Sequence, residues 1–319
     1  MMMKHKALFV AAFLILSLIM PVALVNALTS GNSGGTAIVG NAAPQMSSPA
    51  FTDVASADKN NSAVDVYTEY WISYTIRDNN TLVDLTTLTF KVWGANSTVG
   101  GADDAAKHYT FTYTQATDTW AETGPGSSII SANCTDPADQ SATSGDFRLA
   151  FKLQKVADYS GTTTAWRINT TVIDDSSASA FVASLFFGVN YYAEITVVDT
   201  SHAWAGLSPG SVNATLTTPA DGGIDLTITS NHSFSLQAEG SGDLTSDGHT
   251  IPLANVLIHK DTLGTAASLT TGYLDIGGLT GLSAGASQAE TFKLWITVPS
   301  PQDSGSYTYT LYVQVVISL

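Results

Sequence analysis

The stretch Val64-Asp65-Val66-Tyr67-Thr68-Glu69-Tyr70-Trp71-Ile72-Ser73-Tyr74-Thr75-Ile76-Arg77 decides the fold. Val64, Val66, Tyr70, Ile72, Tyr74 and Ile76 point one way, and Asp65, Glu69, Ser73, Thr75 and Arg77 point the other. Successive side chains leave opposite faces of a pleated backbone, so this two-residue period is that of a long half-buried strand.

Downstream the same alternation returns in Leu88-Phe90-Val92, Tyr109-Phe111-Tyr113, Phe147-Leu149-Phe151-Leu153, Trp166-Ile168 leading to Val172, and Tyr191-Ala193-Ile195-Val197. One stretch, 179–187, fits a short helix. A second series follows near Ser211: Ile224-Leu226-Ile228, Phe234-Leu236-Ala238, Val256-Ile258, Phe292-Leu294-Ile296-Val298 and Tyr309-Leu311-Val313-Val315-Ile317. Glycine-rich turns such as Asp221-Gly222-Gly223 separate these runs. Many short strands with hardly any helical period predict an all-β chain of two consecutive antiparallel β-sandwich domains. The boundary falls at Gly206-Leu207-Ser208-Pro209-Gly210, giving domains over 60–205 and 206–319.

Upstream of the strands, residues 1–27 read as a signal peptide. Lys4 and Lys6 precede an uncharged apolar run, and Val25-Asn26-Ala27 places small residues where a signal peptidase cuts. Cleavage is expected after Ala27, with an uncleaved anchor as the alternative, because the run approaches the roughly 20 residues that span a bilayer. Residues 28–59, rich in Gly, Ser, Ala and Pro, read as a flexible leader. The mature chain is therefore expected to be secreted, at the extracellular cell surface, with no membrane span.

Composition narrows the function. The 319 residues carry 12 Lys plus Arg against 27 Asp plus Glu, a net charge of −15, which excludes a nucleic-acid binder. Only 12% of residues are charged and 44% are hydrophobic, so the chain is not a disordered polyelectrolyte. Cys134 stands alone, so no intrachain disulfide can form, and an inert thiol is its expected state.

Residues 282–287 (Leu-Ser-Ala-Gly-Ala-Ser), Phe292-Lys293-Leu294-Trp295-Ile296-Thr297-Val298-Pro299 and Asp303-Ser304-Gly305-Ser306-Tyr307 resemble the last two strands of immunoglobulin-like modules in prokaryotic surface proteins. Val39-Gly40-Asn41-Ala42-Ala43-Pro44 and Asp78-Asn79-Asn80-Thr81 are similar to the opening of such domains in archaeal envelope proteins. The resemblance implies Ig-like sandwiches and a role in the cell envelope. It implies no chemistry, since such modules serve layers, filaments, adhesins and carbohydrate binding alike.

The motifs point the same way. Asn-x-Ser/Thr sequons at Asn60, Asn79, Asn96, Asn133, Asn169, Asn213 and Asn231, in a chain with an export signal, are candidate glycosylation sites. Two Gly-x-Ser-x-Gly matches, at Ser208 and Ser283, lack the strand-to-helix context of a nucleophile elbow and read as turns. No histidines pair at zinc-like spacing, so the sequence gives zinc no support, although a sandwich can bring distant ligands together. Calcium takes carboxylate and carbonyl oxygens from loops, for which the candidates are Asp78, Asn80 and Asp84, and Asp243 with Asp247. Trp71 and Trp93 alternate out of phase with the apolar positions and should point outward, for subunit packing or sugar stacking. The extended segment Thr36, Ala37, Ile38 and Val39 is the candidate donor strand for joining subunits, and the C-terminal strand is expected to complete its own sheet.

These readings converge on a non-enzymatic extracellular structural subunit, N-glycosylated and self-associating into a surface layer or filament. The alternative is a secreted adhesin that binds cell-surface glycans through Trp71 and Trp93. Intact-mass measurement of the exported protein is expected to give a chain beginning at Leu28. A mass that retains residues 1–27 would overturn the export reading.

Overall fold

In the segment from residue 69 to 77, Tyr70, Ile72, Tyr74 and Ile76 are buried, while the residues between them are half-buried or exposed. The computed structural model describes residues 40–94, 97–124 and 126–318. The expected signal peptide at 1–27, the candidate donor segment 36–39 and the Asn96 sequon lie outside these residues. From Ala42 onward the described chain is one compact unit. It is all-β, with no α-helix among the described residues.

In chain order the first sandwich uses β1 (Gln45–Asp53), β2 (Ser62–Val64), β3 (Glu69–Arg77), β4 (Leu85–Trp93), β5 (His108–Thr114), β6 (Thr119–Thr123), β7 (Ser144–Lys152), β8 (Trp166–Asp174) and β9 (Ser179–Val189). One sheet has the order β1-β3-β7, and the other has the order β2-β9-β8-β4-β5-β6. All these pairs are antiparallel except β2 with β9. The inner faces meet through rings: Tyr74 lies 6.1 Å from Phe90, Phe111 lies 5.5 Å from Phe151, and Phe51 lies 5.1 Å from Phe187. Tilted aromatic pairs at such separations add to the apolar burial that closes the sandwich.

The second sandwich uses β10 (Ala193–Val197), β11 (Ala214–Thr215), β12 (Gly223–Ser230), β13 (Phe234–Gly240), β14 (Leu244–Ser246), β15 (His249–Ile251), β16 (Val256–His259), β17 (Ala267–Ser268), β18 (Leu274–Asp275), β19 (Gly285–Ile296) and β20 (Leu311–Ile317). Strands β10-β12-β19-β16-β17 form one sheet, with β11 also on β19; β18-β13-β20 form the facing sheet, and β14 and β15 form a hairpin. Its core is aliphatic apart from Phe234 and Phe292. The C-terminal strand β20 pairs with β13 of its own sheet.

Three sequence expectations meet a different arrangement. Residues 45–53 of the expected leader are β1, hydrogen-bonded to β3, with Phe51 fully buried. The alternation is hidden there because the register shifts between Ser47 and Ala50, where Ser48 adopts a positive φ of 53° and Pro49 follows. Residues 179–187 are strand rather than helix: in β9 only Leu185, Phe187, Gly188 and Val189 are buried, and a register shift against β8 breaks the visible period. The division between the two cores lies upstream of residue 206. Val189 belongs to the first core and Ile195 packs on the second, because β10 bonds to β12.

Phe51→Ala is expected to cost about 3–5 kcal/mol in chemical denaturation, as fully buried aromatic truncations do. A loss below about 1 kcal/mol would mean that β1 is peripheral to the core.

Candidate functional site

The strand parity that builds the first core also carries charge into it. On β3 the inward residues Tyr70, Ile72, Tyr74 and Ile76 are followed, one step further in the same phase, by Asp78, which is fully buried. On β8 the inward set Trp166, Ile168, Thr170 and Val172 ends on Asp174, which is 1% exposed. A short 3-10 turn, Leu82–Asp84, is pinned by buried Leu82 and places Asp84 at the entry to β4. Carboxylate oxygens of Asp78, Asp84 and Asp174 all lie within 4.8 Å of one another. Among the described residues this is the one such cluster of acidic, histidine or cysteine side chains.

The backbone fixes this corner. The Asp78 amide donates to the Thr143 carbonyl at 2.9 Å, and the Asp175 amide donates to the Asp84 carbonyl at 2.8 Å. Oδ1 of Asp78 accepts from the Asn80 amide at 2.8 Å, and Oδ1 of Asp174 accepts from the Ala178 amide at 2.7 Å. Oδ2 of Asp78 and Oδ2 of Asp84 are buried with no hydrogen-bond partner. The Asp84 carboxyl is pushed up to about 6, first by burial, then by the adjacent Asp175 carboxylate, with Asp78 and Asp174 adding to it. A carboxyl raised in the folded state costs stability when it ionises, so at neutral pH this corner works against folding unless its charge is met. The donors are all hard oxygens, which suit calcium or magnesium rather than zinc.

Asp78 and Asp84 come together as the sequence suggested, and Asn80 does not join them. Asn80 is exposed, and its Oδ1 accepts from the Ala42 amide at 2.9 Å, which ties the start of the described chain to this corner. Asp174 takes the third position. It is distant in sequence, and extending the inward phase of Trp166 and Ile168 by a few residues is the signal that finds it. Asp243 and Asp247 are exposed: Asp243 caps the Leu253 amide at 2.9 Å, and Asp247 occupies the β14–β15 turn with a φ of 46°.

Trp71 and Trp93 do point outward, but from different sheets, β3 and β4, whose inner faces meet. They therefore look away from each other and form no common platform. Each is roofed by its own chain, with the Arg148 guanidinium 4.2 Å from the Trp71 ring centroid and that of Arg167 5.3 Å from the Trp93 ring. Nε1 of Trp71 donates to Glu69 at 2.7 Å.

The sequons differ in access. Asn79 is exposed, and Asn60, Asn133, Asn169 and Asn213 are half-buried. The amide nitrogen, where a glycan attaches, is already bonded to Glu69 at 2.8 Å in Asn133. Asn231 is 2% exposed and sits between the sandwiches. Its Nδ2 donates to the Ala157 carbonyl at 3.0 Å and the Asn190 carbonyl at 2.9 Å, and its Oδ1 accepts from the Tyr192 amide at 2.8 Å. Its own amide and carbonyl bond to Tyr192 and Tyr159. A glycan on Asn231 is incompatible with this packing. The sequence gives no hint of it, because burial of a polar residue at a junction leaves no periodic trace.

A cleft of about 700 Å³ opens in the second sandwich, lined by His202, Trp204, Ser208, Ile296 and Tyr309 among others. His202 shares a 3.0 Å hydrogen bond with the Tyr309 hydroxyl, and burial holds its imidazole below the usual histidine range. No Ser208–His202 hydrogen bond occurs, and the cleft is an aromatic one in which Trp204 stacks on Tyr309. The Cys134 thiol is half-buried against the Ile130 and Ala150 carbonyls, and burial pushes its pKa up.

No family model matches the sequence, and neither does any curated protein. Among solved structures, a DUF4466 family protein from Parabacteroides merdae aligns over 88% of this chain and all of its own, at 8% identity and a TM-score of 0.24. The C-terminal domain of the Streptococcus agalactiae AgI/II polypeptide BspA aligns over 85% of this chain and 95% of its own, at 12% identity and a TM-score of 0.23. Likenesses at this level carry no argument about function.

Glycopeptide mapping of the protein from its producing cells is expected to find Asn231 unmodified. Glycan on Asn231 in folded material would mean that the junction is built differently.

Proposed function

We propose that this chain is an exported, non-enzymatic structural subunit of a cell-surface layer or extracellular filament. The observation that supports this reading best is the junction at Asn231. One buried side chain there makes three hydrogen bonds that span the segment after β7, the β9–β10 connection and the β12–β13 turn. Lys155 reinforces it through a 2.7 Å ion pair to Glu194. A buried amide with every group satisfied fixes one relative geometry, because any slippage leaves polar groups unpaired in a low-dielectric setting. Repeating subunits need such fixed geometry, since a small hinge error multiplies along a polymer.

The edges of the sheets supply the means of association. Strands β1 and β20 each lie at an edge, pairing with β3 and with β13. Residues 57–59 already bond to the outer backbone of β1 at Phe51–Asp53, so β20 is the better edge to accept an extended segment of another chain by strand addition. The adhesin reading draws less support, because Trp71 and Trp93 face apart and each lies beneath an arginine.

Negative-stain microscopy of the purified protein and of the producing cells is the test. An ordered polymer is expected. A protein that stays monomeric at high concentration, while binding cell-surface glycans in a manner lost in Trp71→Ala, would overturn the structural reading in favour of an adhesin.

A further inference from the structure

We infer that Asp78, Asp84 and Asp174 form a calcium site that clamps the two sheets of the first sandwich at one end. The inference goes beyond the layer or filament reading and does not rest on it. Asp78 leaves β3 of the three-stranded sheet, whereas Asp84 enters β4 and Asp174 ends β8 of the six-stranded sheet. An ion held by all three would therefore bridge the sheets where the chain crosses between them.

Two observations point to a cation rather than to solvated turn residues. First, Asp78 is fully buried, yet its Oδ2 has no hydrogen-bond partner, and Oδ2 of Asp84 is buried in the same condition. Buried carboxylate oxygens are almost always satisfied, and leaving one unpaired costs more than leaving a neutral acceptor so. Second, three carboxylates converge within 4.8 Å, while among the described residues no lysine, arginine or histidine forms an ion pair with Asp78 or Asp84. Like charges gathered in a poorly solvated corner repel unless a counter-charge sits among them.

The donor set favours calcium over magnesium. Calcium accepts six to eight oxygens at about 2.3–2.6 Å in flexible geometry, so carboxylates, carbonyls and waters of an irregular corner can share it. Magnesium demands a near-octahedral shell at about 2.0–2.1 Å and keeps most of its water. The corner also anchors the chain's entry to the domain, since Asn80, whose amide caps Asp78, holds the Ala42 amide. Filling the site would thus order residues around Ala42 as well as the sheet ends.

The test uses the full chain, freed of bound metal by chelator, with calcium chloride as the probe. Calorimetric titration should show a binding step. Calcium at about 100-fold over its Kd should raise Tm by roughly 5 °C above the value in EDTA. Asp84→Asn should abolish that rise, and in EDTA it should melt above the parent, because one repelling carboxylate is gone. Asp243→Asn, at an exposed carboxylate outside the cluster, should keep the full response. Equal magnesium should give a smaller rise, and a rise equal to that with calcium would overturn the choice of ion. No calcium binding by the parent chain, or a full calcium response in Asp84→Asn, would overturn the site itself. Asp84 is half-buried, so its isosteric amide tests the site without emptying the core, whether or not Asp78→Asn and Asp174→Asn fold.

Discussion

The inward face of β3 is the constraint on which the first sandwich depends. Tyr70, Ile72, Tyr74 and Ile76 are all buried, and that single face sets the register of β1 on one side and β7 on the other. It also sets the distance to the facing sheet, because Tyr74 meets Phe90 and the Phe51 ring beside β3 reaches Phe187. With a single cysteine in the chain and no α-helix among the described residues, each apolar face must be buried by another sheet, so one strand slipping by a residue would turn a whole apolar row outward.

The same pleat explains why acidic groups collect at one end of this core. Parity does not stop where hydrophobicity stops, and Asp78 and Asp174 each occupy the next inward position of a strand whose apolar run has ended. An ordinary turn aspartate sits in water, while these two are held out of it by the strands that precede them. The cost of that placement is visible in Asp84, whose carboxyl is raised by burial and by its acidic neighbours. The adjoining Asx-type bond from the Asn80 amide meets one oxygen of Asp78 and leaves the other.

At the opposite conceptual extreme lies the junction between sandwiches, where a polar residue is buried and fully satisfied. Asn231 donates twice and accepts once through its side chain, and its backbone adds two further bonds. Such a residue specifies one arrangement of neighbours, whereas an apolar contact of similar size would tolerate sliding. The ring of Tyr159, 5.0 Å from His232, packs beside it.

Most strands, the all-β class and the outward pointing of Trp71 and Trp93 were legible in the residues alone, because burial of one sheet face writes a period of two directly into the sequence. Strand β1 and most of β9 were not, since a bulge at Ser47–Ala50 and another opposite Ile168–Thr170 shift the phase that the eye follows. Asp78 and Asp84 could be nominated because they are neighbours in sequence. The inclusion of Asp174, the diversion of Asn80 to Ala42, the separation of the two tryptophans and the burial of Asn231 were decided by tertiary structure. Each depends on which distant strands lie side by side, and a strand's local pattern records which way its side chains point but not what they meet.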